Sequence, residues 1–473
     1  MTKTNSHILH QFHPAIQQWF TQAFGEPTPP QILGWPAIFK NENTLILAPT
    51  GSGKTLAAFL VCIDRLLEKT DENVKSQGVH TLYISPLKAL NYDIERNLEA
   101  PLTGIREQAK AMGLSLPQIT KAVRTGDTPQ KERQQMLRQP PDILITTPES
   151  LHLLLTSVRA REMLRTVKYV IVDEIHSLSE NKRGTFLSLL LERLQYLAEQ
   201  PFVRIGLSAT QRPLEKVAEF LGGYSVTNKG GSAVPEPRLV TIIDAGMRKE
   251  MELQVISPVH DFRDLPEDSV WPDIYQKLLE LVKGQGSTLI FTNSRASAER
   301  ITAELNERAG FELARAHHGS VSKEKRKDIE QKLKRGELPV LVATATLELG
   351  IDMGAIDLVC QVESPKSVAR GLQRVGRAGH LFKSVSKGRL LPKMRSDLLE
   401  MAVVTRLMHQ GDVAPIHIPR NCLDILAQQI VAIVSLKPWK LDELYQLIRG
   451  AYPYQDLPYD HFLGVVEMLS GRY

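Results

Sequence analysis

Residues 45–59 read LILAPTGSGKTLAAF, an apolar run that is interrupted by small residues and then resumes. The part before the interruption has the composition of a short buried strand, and the part after it has the pattern of a helix. A buried strand that leads through a glycine-rich turn into a helix is a repeating unit of parallel α/β sheets. The stretch therefore predicts one such unit, with the turn at the carboxyl end of the strand.

Eight other short β-branched runs are each followed by a helical pattern. Continuous apolar strands between helices indicate parallel sheets that are covered on both faces. The runs form two groups, which indicates two α/β domains rather than one very wide sheet. The first group contains HTLYISP, PDILITTP, KYVIVDE and RIGLSAT besides the opening stretch, and the second contains STLIFTN, LARAHHG, PVLVATA and DLVCQV.

Two other stretches complete the organisation of the chain. Residues 222–238, GGYSVTNKGGSAVPEPR, are rich in Gly, Ser and Pro and are expected to form a loop or linker between the two groups. Beyond Pro415, three amphipathic helix candidates follow one another without strands between them. We place the domains at 1–235, 236–410 and 411–473.

The composition of the 473-residue chain is that of an ordinary globular protein, with 42% hydrophobic and 23% charged residues. No apolar run reaches the ~18–20 residues of a membrane span, so no membrane association is expected. The three cysteines lack metal or redox spacing, which predicts a reducing cytoplasm. Residues 283–395 hold 21 Lys and Arg against 12 Asp and Glu. This local excess indicates either a polyanionic partner or an ordinary solvated surface.

The turn of the opening stretch, APTGSGKT, has the spacing of a phosphate-binding loop. Glycines let several backbone N–H groups point at one phosphate, and the following helix offers its positive end. Lys54 is then expected to reach the β- and γ-phosphates of ATP, and the Thr55 hydroxyl to hold Mg²⁺. Ala48 stands where the usual pattern has glycine, and a glycine-rich turn without a ligand is the alternative. The predicted ATP-binding residues of this loop are Thr50, Gly51, Ser52, Gly53, Lys54 and Thr55.

An acidic motif ends another of the predicted strands, in YVIVDEIH. Asp173 at the strand end can reach the metal through water, so Thr55 and Asp173 form the predicted metal site. Glu174 is expected to orient and deprotonate the attacking water. An acidic strand end at the surface is the alternative, and the phosphate-binding loop upstream argues against it.

Six further motifs follow along the chain: SPLKAL (85–90), TPES (147–150), SAT (208–210), FTNSR (291–295), TATLELGIDMG (344–354) and QRVGRAGH (373–380). Their order is that of superfamily 2 helicases, which the chain resembles over residues 12–395. A narrower set, including VRTGDT, HHGSVS and NCLDILAQQIVA, is similar to the large helicase-related (Lhr) family. This resemblance implies an α/β fold of two RecA-like parallel-sheet domains in tandem, followed by a partial or complete winged-helix segment. Because that family continues into a further domain, the chain is expected to be C-terminally truncated.

The resemblance implies an ATP hydrolase that loads on single-stranded DNA, moves 3′ to 5′ and opens DNA or RNA:DNA duplexes in DNA repair. Its cofactors would be ATP and Mg²⁺. Its partner would be single-stranded DNA, with RNA:DNA hybrids or RNA as alternatives, and the motor is expected to be monomeric. Two other functions remain open: an RNA helicase that separates strands locally, and a nucleic-acid clamp without productive turnover. The intact set of Lys54, Asp173, Glu174 and Arg377 argues against the clamp.

The resemblance also assigns nucleotide contacts outside the first two motifs. Gln31 matches a glutamine that pairs with the adenine edge, with a solvent-facing glutamine at a helix start as the alternative. Gly350 and Asp352 match nucleotide contacts, with Asp352 at the ribose. His176 and Gln373 match a pair that relays the state of the nucleotide between domains.

Two arginines of QRVGRAGH are candidate catalytic residues. Arg374 and Arg377 are three residues apart and could share a helix face. Arg377 would be an arginine finger, placed across a cleft from Lys54. His380 stands where the family often has arginine, which leaves open whether one or two cations contact the phosphate. A solvated basic helix is the alternative for this segment.

Nucleic acid is expected to lie along the motifs that follow the predicted strands. Hydroxyl, amide and strand-end N–H groups are usual phosphate binders and carry no sequence information. The alternative for any one Ser or Thr is an ordinary helix cap or turn. The candidate contacts are Lys88, Arg124, Thr125, Thr147, the backbone of Glu149, Asn293, Ser294, Arg295, His318, Ser320, Thr344 and Thr346.

Overall fold

The computed structural model describes residues 8–49, 51–68, 78–209, 212–229, 232–246, 249–265, 269–348, 356–379 and 384–471. The chain divides into two compact units. The first contains Met1–Ala48, Gly53–Ala245 and Pro415–Tyr473, and the second contains Pro49–Ser52 and Gly246–Ala414. Within the described residues, no helix combines the length and apolarity needed to cross a membrane.

The first unit is built on a sheet of seven strands whose neighbours all run parallel. These strands are β1 (Thr44–Leu47), β2 (Thr81–Ile84), β3 (Lys121–Arg124), β4 (Ile143–Thr146), β5 (Tyr169–Val172), β6 (Val203–Ser208) and β9 (Thr241–Asp244). Their order across the sheet is β3-β4-β2-β5-β6-β1-β9. Every residue of β1, β2, β4, β5 and β6 is buried, because helices cover both faces.

Eleven helices accompany this sheet in the described residues. Two hydrophobic clusters lie on its two faces. One contains Leu82 and Val170 and the other contains Tyr83 and Ile171, as expected because successive side chains of a strand point to opposite faces. The helices are α1 (Pro14–Phe24), α2 (Pro29–Phe39), α3 (Lys54–Leu67), α4 (Lys88–Asn97), α5 (Glu99–Ala111), α6 (Gln130–Arg138), α7 (Pro148–Thr156), α8 (Val158–Glu162), α9 (Ile175–Ser179), α10 (Lys182–Leu197) and α11 (Leu214–Gly222).

The second unit contains a parallel sheet of six strands in its described part. Its strands are β10 (Met251–Val255), β11 (Thr288–Phe291), β12 (Ala314–His317), β13 (Val340–Ala343), β14 (Leu358–Val362) and β15 (Ser386–Leu391). Their order is β10-β15-β14-β11-β13-β12. The helices are α12 (Trp271–Val282), α13 (Arg295–Ala309), α14 (Lys323–Lys334), α15 (Val368–Val375) and α16 (Arg395–Gln410).

The structure confirms all nine predicted strands and adds others that the sequence analysis missed. Strands β3, β9 and β10 lie at sheet edges, where one side of the strand is partly solvated and the apolar run is broken. Strand β15 alternates buried and exposed positions in SKGRLL, so it lacks a continuous apolar run as well.

The expectation of a loop or linker at 222–238 is wrong. The described part of this stretch forms an antiparallel pair, β7 (Tyr224–Lys229) and β8 (Ser232–Pro237). The chain then returns to the first sheet as β9 and leaves the first unit at Ala245. Gly, Ser and Pro are typical both of linkers and of hairpins, which is why composition alone misled. The three domain boundaries remain predictions, because one compact unit can hold more than one domain.

The segment after Pro415 forms the three predicted helices, α17 (Leu423–Val434), α18 (Leu441–Arg449) and α19 (Tyr459–Leu469). They belong to the first unit, where Leu189 of α10 lies in one apolar cluster with Leu426, Ile430 and Leu444. The contact also has a buried polar part. Arg193 of α10 donates from Nη1 to Gln429 Oε1 at 2.8 Å, and His152 Nδ1 lies 3.2 Å from Gln429 Nε2.

A buried ionic cluster forms a second tie to the same segment. Glu192 accepts hydrogen bonds from Arg204 at 2.9 Å and from Arg238 at 2.8 Å, and its carboxylate is almost fully buried. Gly450 approaches so closely that an added Cβ would lie 2.8 Å from Glu192 Oε2. The Gly450 carbonyl also accepts from Tyr224 N at 2.7 Å. Helix α10, the β7–β8 hairpin and the end of α18 therefore meet at one carboxylate.

Candidate nucleotide and nucleic-acid sites

The predicted phosphate-binding loop lies at the carboxyl end of β1. Gly51 and Gly53 have φ values of 79° and 84°, a left-handed conformation that glycine adopts without strain. Helix α3 begins at Lys54, whose side chain is only 5% exposed. Ser52 Oγ donates to Pro49 O at 2.7 Å, and Thr50 lies outside the described residues. The loop therefore has the glycine geometry and the helix N-terminus that anion binding requires.

The two acidic residues follow β5, which is separated from β1 by β6. Asp173 Oδ2 accepts a hydrogen bond from the Tyr83 hydroxyl, and Oδ1 accepts from Glu174 N at 2.7 Å. Glu174 has φ 48°, a conformation that is costly for a residue with a Cβ and that occurs preferentially at functional sites. Both carboxylates are buried, with 3% and 5% exposure.

Charge at this site is only partly balanced within the first unit. Burial and the Glu174 carboxylate raise the pKa of Asp173 to about 6, against the lowering effect of the Lys54 ammonium. Two buried carboxylates beside one lysine favour a further cation. Oxygen ligands such as Asp173 and the Thr55 hydroxyl suit Mg²⁺. The described residues contain no group of three or more His, Cys, Asp or Glu that could hold a metal.

His176 links the acidic pair to β6. Its Nδ1 accepts a hydrogen bond from Ala209 N at 3.3 Å and lies 3.2 Å from Ser208 Oγ. Burial lowers the pKa of His176, which favours the neutral ring. With Nδ1 as acceptor, the ring proton is on Nε2, which faces Glu174 Oε2 at 3.4 Å. His176 is therefore oriented to donate to Glu174.

The sequence analysis did not assign Tyr83 or Ser208 to the site. Ser208 stands in the SAT motif, which was noted without a role, so its position at the end of β6 was available as a signal. Tyr83 lies inside the apolar run of β2, where nothing in the sequence separates it from a core residue.

Gln31 lies beside the phosphate-binding loop rather than facing solvent. It is 3% exposed, its Oε1 accepts from Thr28 N at 2.8 Å, and its Nε2 donates to Gly53 O at 3.4 Å. Gln31 caps the start of helix α2 by accepting from the Thr28 N–H. The amide is thus held next to the loop, and its contact with adenine remains a prediction.

The two arginines of the second unit do not share a helix face, which corrects the sequence-based expectation. Helix α15 ends at Val375, and Arg377 lies in the following turn. Arg374 is buried and donates to Glu348 Oε1 and, at 2.7 Å, to Gln361 Oε1. Arg377 donates from Nη2 to the Glu348 carbonyl at 2.8 Å. The two guanidinium groups therefore converge on one residue.

The other nucleotide candidates of this unit are less fully described. Gln373 lies on α15 and is partly exposed. Gly350 and Asp352 lie outside the described residues, as does the side chain of Thr346. Their roles remain predictions.

Sheet topology brings the nucleic-acid candidates of the first unit together. Arg124 is the last residue of β3, Thr147 follows β4 and Lys88 begins the helix after β2, and these three strands are neighbours. Lys88 is exposed and pairs with Asp127 at 2.6 Å. Arg124 and Thr125 are buried, and Thr147 caps α7 through a hydrogen bond from Ser150 N. Glu149 is exposed and pairs with Arg183 at 2.7 Å.

The candidates of the second unit gather in the same way. Strands β11, β13 and β12 are neighbours, and the motifs at their carboxyl ends contain the remaining predicted contacts. Arg295 donates to Ser320 Oγ at 2.8 Å, which joins the ends of β11 and β12. Ser294 caps α13, and His318 Nε2 lies 2.6 Å from Glu299 Oε1. Asn293 donates to Ser364 O at 2.8 Å, and Thr344 precedes a short 3₁₀ turn after β13.

Comparison with known families and structures agrees with this architecture. Residues 28–219 match the DEAD/DEAH box helicase family, residues 273–381 the helicase conserved C-terminal domain, and residues 406–473 the winged helix domain of the large helicase-related protein. The first match contains six of the seven strands of the first sheet, and the second contains four of the six strands of the second sheet. Both sheets are RecA-like, and the third match contains α17 to α19.

Similar proteins extend over the whole chain. The Lhr helicase/probable uracil glycosylase of Mycolicibacterium smegmatis is 47% identical over 100% of this chain and 32% of its own length. The ATP-dependent helicase Lhr-Core protein 2 of Thermococcus barophilus is 47% identical over 99% of this chain and 54% of its own length. The structure of Mycobacterium smegmatis helicase Lhr bound to ssDNA and AMP-PNP has a TM-score of 0.88 and 49% identity, and covers 98% of this chain and 58% of that chain.

This chain thus spans about half the length of these relatives, or less. Within that span the order of the three family matches, the two RecA-like sheets and the identity to the relatives all agree. The chain belongs to the large helicase-related (Lhr) family of superfamily 2 helicases.

Proposed function

We propose that the chain is an ATP-hydrolysing motor that moves on nucleic acid. The observation that carries this proposal is the buried group of Lys54, Asp173, Glu174 and His176, gathered where β1, β5 and β6 end. The similar structure bound to ssDNA and AMP-PNP supports the choice of nucleotide and of nucleic acid. The specific activity we propose is loading on single-stranded DNA, movement 3′ to 5′ and opening of DNA or RNA:DNA duplexes, with a role in DNA repair.

The residues of the first unit divide the work of hydrolysis. Lys54 and the N-terminus of α3 would hold the phosphates. Bound Mg²⁺, held by Thr55 and Asp173, would neutralise charge on the β- and γ-phosphates. Glu174 would accept a proton from the attacking water, while the hydrogen bond from His176 Nε2 fixes its carboxylate. We propose that Arg377 supplies a cation to the γ-phosphate as charge develops there.

Nucleic acid would bind at the carboxyl ends of the two sheets. The candidate groups there are hydroxyls, backbone N–H groups and a few cations, which bind phosphates without reading sequence. Thr147 and Ser294 already cap helices, so they would contribute mainly by presenting helix N-termini. We further propose that the motor works as a monomer in the reducing cytoplasm that the cysteine usage predicts.

A steady-state ATPase assay tests the central proposal. Hydrolysis would be measured without nucleic acid, with single-stranded DNA and with RNA of the same sequence, and Lys54→Ala would serve as the inactive control. We expect DNA to raise the rate well above the basal rate and Lys54→Ala to abolish it. Tight DNA binding without hydrolysis would favour the clamp, and stimulation by RNA alone would favour an RNA helicase.

The direction of movement needs a separate assay. Duplexes with a single-stranded 3′ or 5′ tail and a fluorescent label on the displaced strand would be compared under the same conditions. Opening that requires the 3′ tail on the tracked strand supports movement 3′ to 5′. Preference for the 5′ tail contradicts it.

A further inference from the structure

The turn that carries Arg377 is held by a lysine from a distant part of the chain. Lys249 Nζ donates to the carbonyl oxygens of Gly376, Ala378 and Gly379 at 3.2, 2.6 and 2.5 Å. A lysine ammonium has three N–H donors, and here three carbonyls accept them. These carbonyls follow the end of α15, where a cation is favoured by the helix dipole and by carbonyls left without helical partners.

Other contacts show that the turn is built around this lysine. Ser386 Oγ donates to the Ala378 carbonyl at 2.7 Å, so that this oxygen accepts from two sides. Gly379 has φ 75°, and an added Cβ would lie 2.5 Å from Ser384 Oγ. Arg377 itself is held on its other side by the Glu348 carbonyl. The backbone around Arg377 is thus fixed by hydrogen bonds that use nearly every carbonyl of the turn.

The position of Lys249 is also chemically demanding. It is half-buried, and burial together with the Arg377 guanidinium lowers the pKa of Lys249 to about 8. Placing a second cation beside Arg377 costs free energy that an uncharged residue would avoid. The three carbonyl acceptors reduce that cost, because each accepts a hydrogen bond from the ammonium.

We propose that Lys249 is a positioning residue for ATP hydrolysis, which fixes the turn between Gly376 and Gly379 and so sets the direction of the Arg377 guanidinium. The proposal rests on the role of Arg377 at the γ-phosphate given above. Lys249 does not contact the nucleotide in this scheme, so its loss should slow turnover and leave binding of ATP unchanged.

The test uses Lys249→Met, Lys249→Arg, Arg377→Ala and the double variant Lys249→Met/Arg377→Ala. Lys277→Met is the matched control, because Lys277 pairs with its neighbour Glu280 on the same helix, α12. The measurements are kcat and KM for ATP with saturating single-stranded DNA, affinity for AMP-PNP, and melting temperature. The double variant and Arg377→Ala are compared under single-turnover conditions, so that low rates remain measurable.

We expect Lys249→Met to lower kcat by about 10- to 100-fold, the usual consequence of a small displacement of a catalytic group. KM and AMP-PNP affinity should stay close to those of Lys277→Met, whereas the melting temperature should fall somewhat, because three carbonyls lose their donor. Lys249→Arg should restore most of kcat, because a guanidinium also donates to several carbonyls. In the Arg377→Ala background, Lys249→Met should cause little further loss, because both changes act through one group.

Three outcomes would overturn the proposal in distinguishable ways. If Arg377→Ala is slow but Lys249→Met is as fast as the control, Lys249 has no positioning role. If the losses of kcat from Lys249→Met and Arg377→Ala multiply in the double variant, Lys249 acts by a route other than Arg377. The same conclusion follows if Lys249→Met weakens AMP-PNP binding and Lys249→Arg fails to restore that binding. If Arg377→Ala hydrolyses ATP normally, the proposed role of Arg377 is itself wrong, and that of Lys249 with it.

Discussion

Glu174 combines a left-handed backbone conformation, a buried carboxylate and a histidine partner in one residue. The conformation costs of the order of 1 kcal/mol or more, so the surrounding structure has to impose it. The neighbouring Asp173 carboxylate does so in part, by accepting the Glu174 N–H. The result is a carboxylate with a fixed position at the end of β5, next to the strand end that carries Ser208.

The first prediction concerns this base. Glu174→Gln should keep the side-chain shape and an oxygen that can accept from His176, but it removes the proton acceptor. ATP hydrolysis should fall by about 10²-fold or more while AMP-PNP binding is retained. Glu180→Gln is the control, because Glu180 is an exposed glutamate at the end of helix α9, whereas Glu174 precedes the start of that helix. Normal hydrolysis by Glu174→Gln would show that the base lies elsewhere.

The second prediction concerns the pH dependence of stability at His152. Burial and the Arg193 cation lower the pKa of His152 in the folded protein, whereas the Gln429 side chain has a smaller opposite effect. Between about pH 6.5, the pKa of an unfolded histidine, and the lower pKa of the folded protein, the unfolded chain binds more protons than the folded chain. Lowering the pH through this range therefore lowers the free energy of unfolding. Melting temperatures at pH 7.5 and 5.5 should differ more for the wild-type chain than for His152→Gln. Equal differences in both would mean that the histidine does not titrate across this range.

At the scale of elements, helix α10 has contacts on both sides. Leu187 and Leu190 pack in the core beneath the sheet, whereas Leu189 and Arg193 face the C-terminal helices. Arg193 is buried, and burial lowers its pKa to about 10. Its guanidinium donates to the neutral side chains of Gln429 and Thr156, so the hydrogen bond to Gln429 is important for both Arg193 and Gln429.

The third prediction tests that contact between α10 and α17. Arg193→Met leaves the Gln429 amide oxygen buried without its donor, which should cost about 1–3 kcal/mol of folding free energy. The double change Arg193→Met/Gln429→Leu replaces both polar groups and should recover much of this loss. Denaturant unfolding of the two single variants and the double variant measures the coupling. Simple additivity would contradict a shared buried hydrogen bond.

The same elements show what could be predicted from the sequence. Eight of the nine predicted strands are interior, and they could be recognised because burial on both faces demands continuous apolar runs. The ninth, β12, lies at a sheet edge. Edge strands such as β3 and β10 could not be recognised, since half-solvated positions admit lysine and glutamate. The nucleotide motifs located Lys54, Asp173 and Glu174, because that chemistry fixes both residue type and spacing. The contacts of Tyr83 and Lys249 arise only when distant segments fold together, so no local pattern marked them.

For the whole molecule, the main consequence is that the C-terminal segment after Pro415 shares a core with the first RecA-like sheet. Ile416, Ile418 and Tyr452 belong to the same apolar cluster as the strands of that sheet. The Glu192 cluster adds a polar tie between α10, the β7–β8 hairpin and α18. The winged-helix segment should therefore unfold with the first sheet rather than separately.

The fourth prediction follows from this shared core. A chain that ends at Ala414 would uncover Leu189 and would remove Ile416, Ile418 and Tyr452 from the apolar cluster of the first sheet. Its melting temperature should lie several degrees below that of the chain through Tyr473. In a unit of this size, each kcal/mol of lost stability lowers the melting temperature by roughly 4 °C or less. Calorimetry of both chains provides the measurement. An unchanged transition for the sheet would show that the segment is thermally independent.

The meeting of three segments at Glu192 also has an evolutionary consequence. Two arginines and a glycine enclose the Glu192 carboxylate, so none of the four residues can be substituted without a change at the others. Replacing Glu192 or one of the arginines leaves a buried charge without its partner, and a side chain at Gly450 would collide with the carboxylate. Positions 192, 204, 238 and 450 should therefore be inherited as a set across relatives, and change together where they change at all. Recombination that brings in a foreign C-terminal segment would succeed only between parents that agree at these four positions.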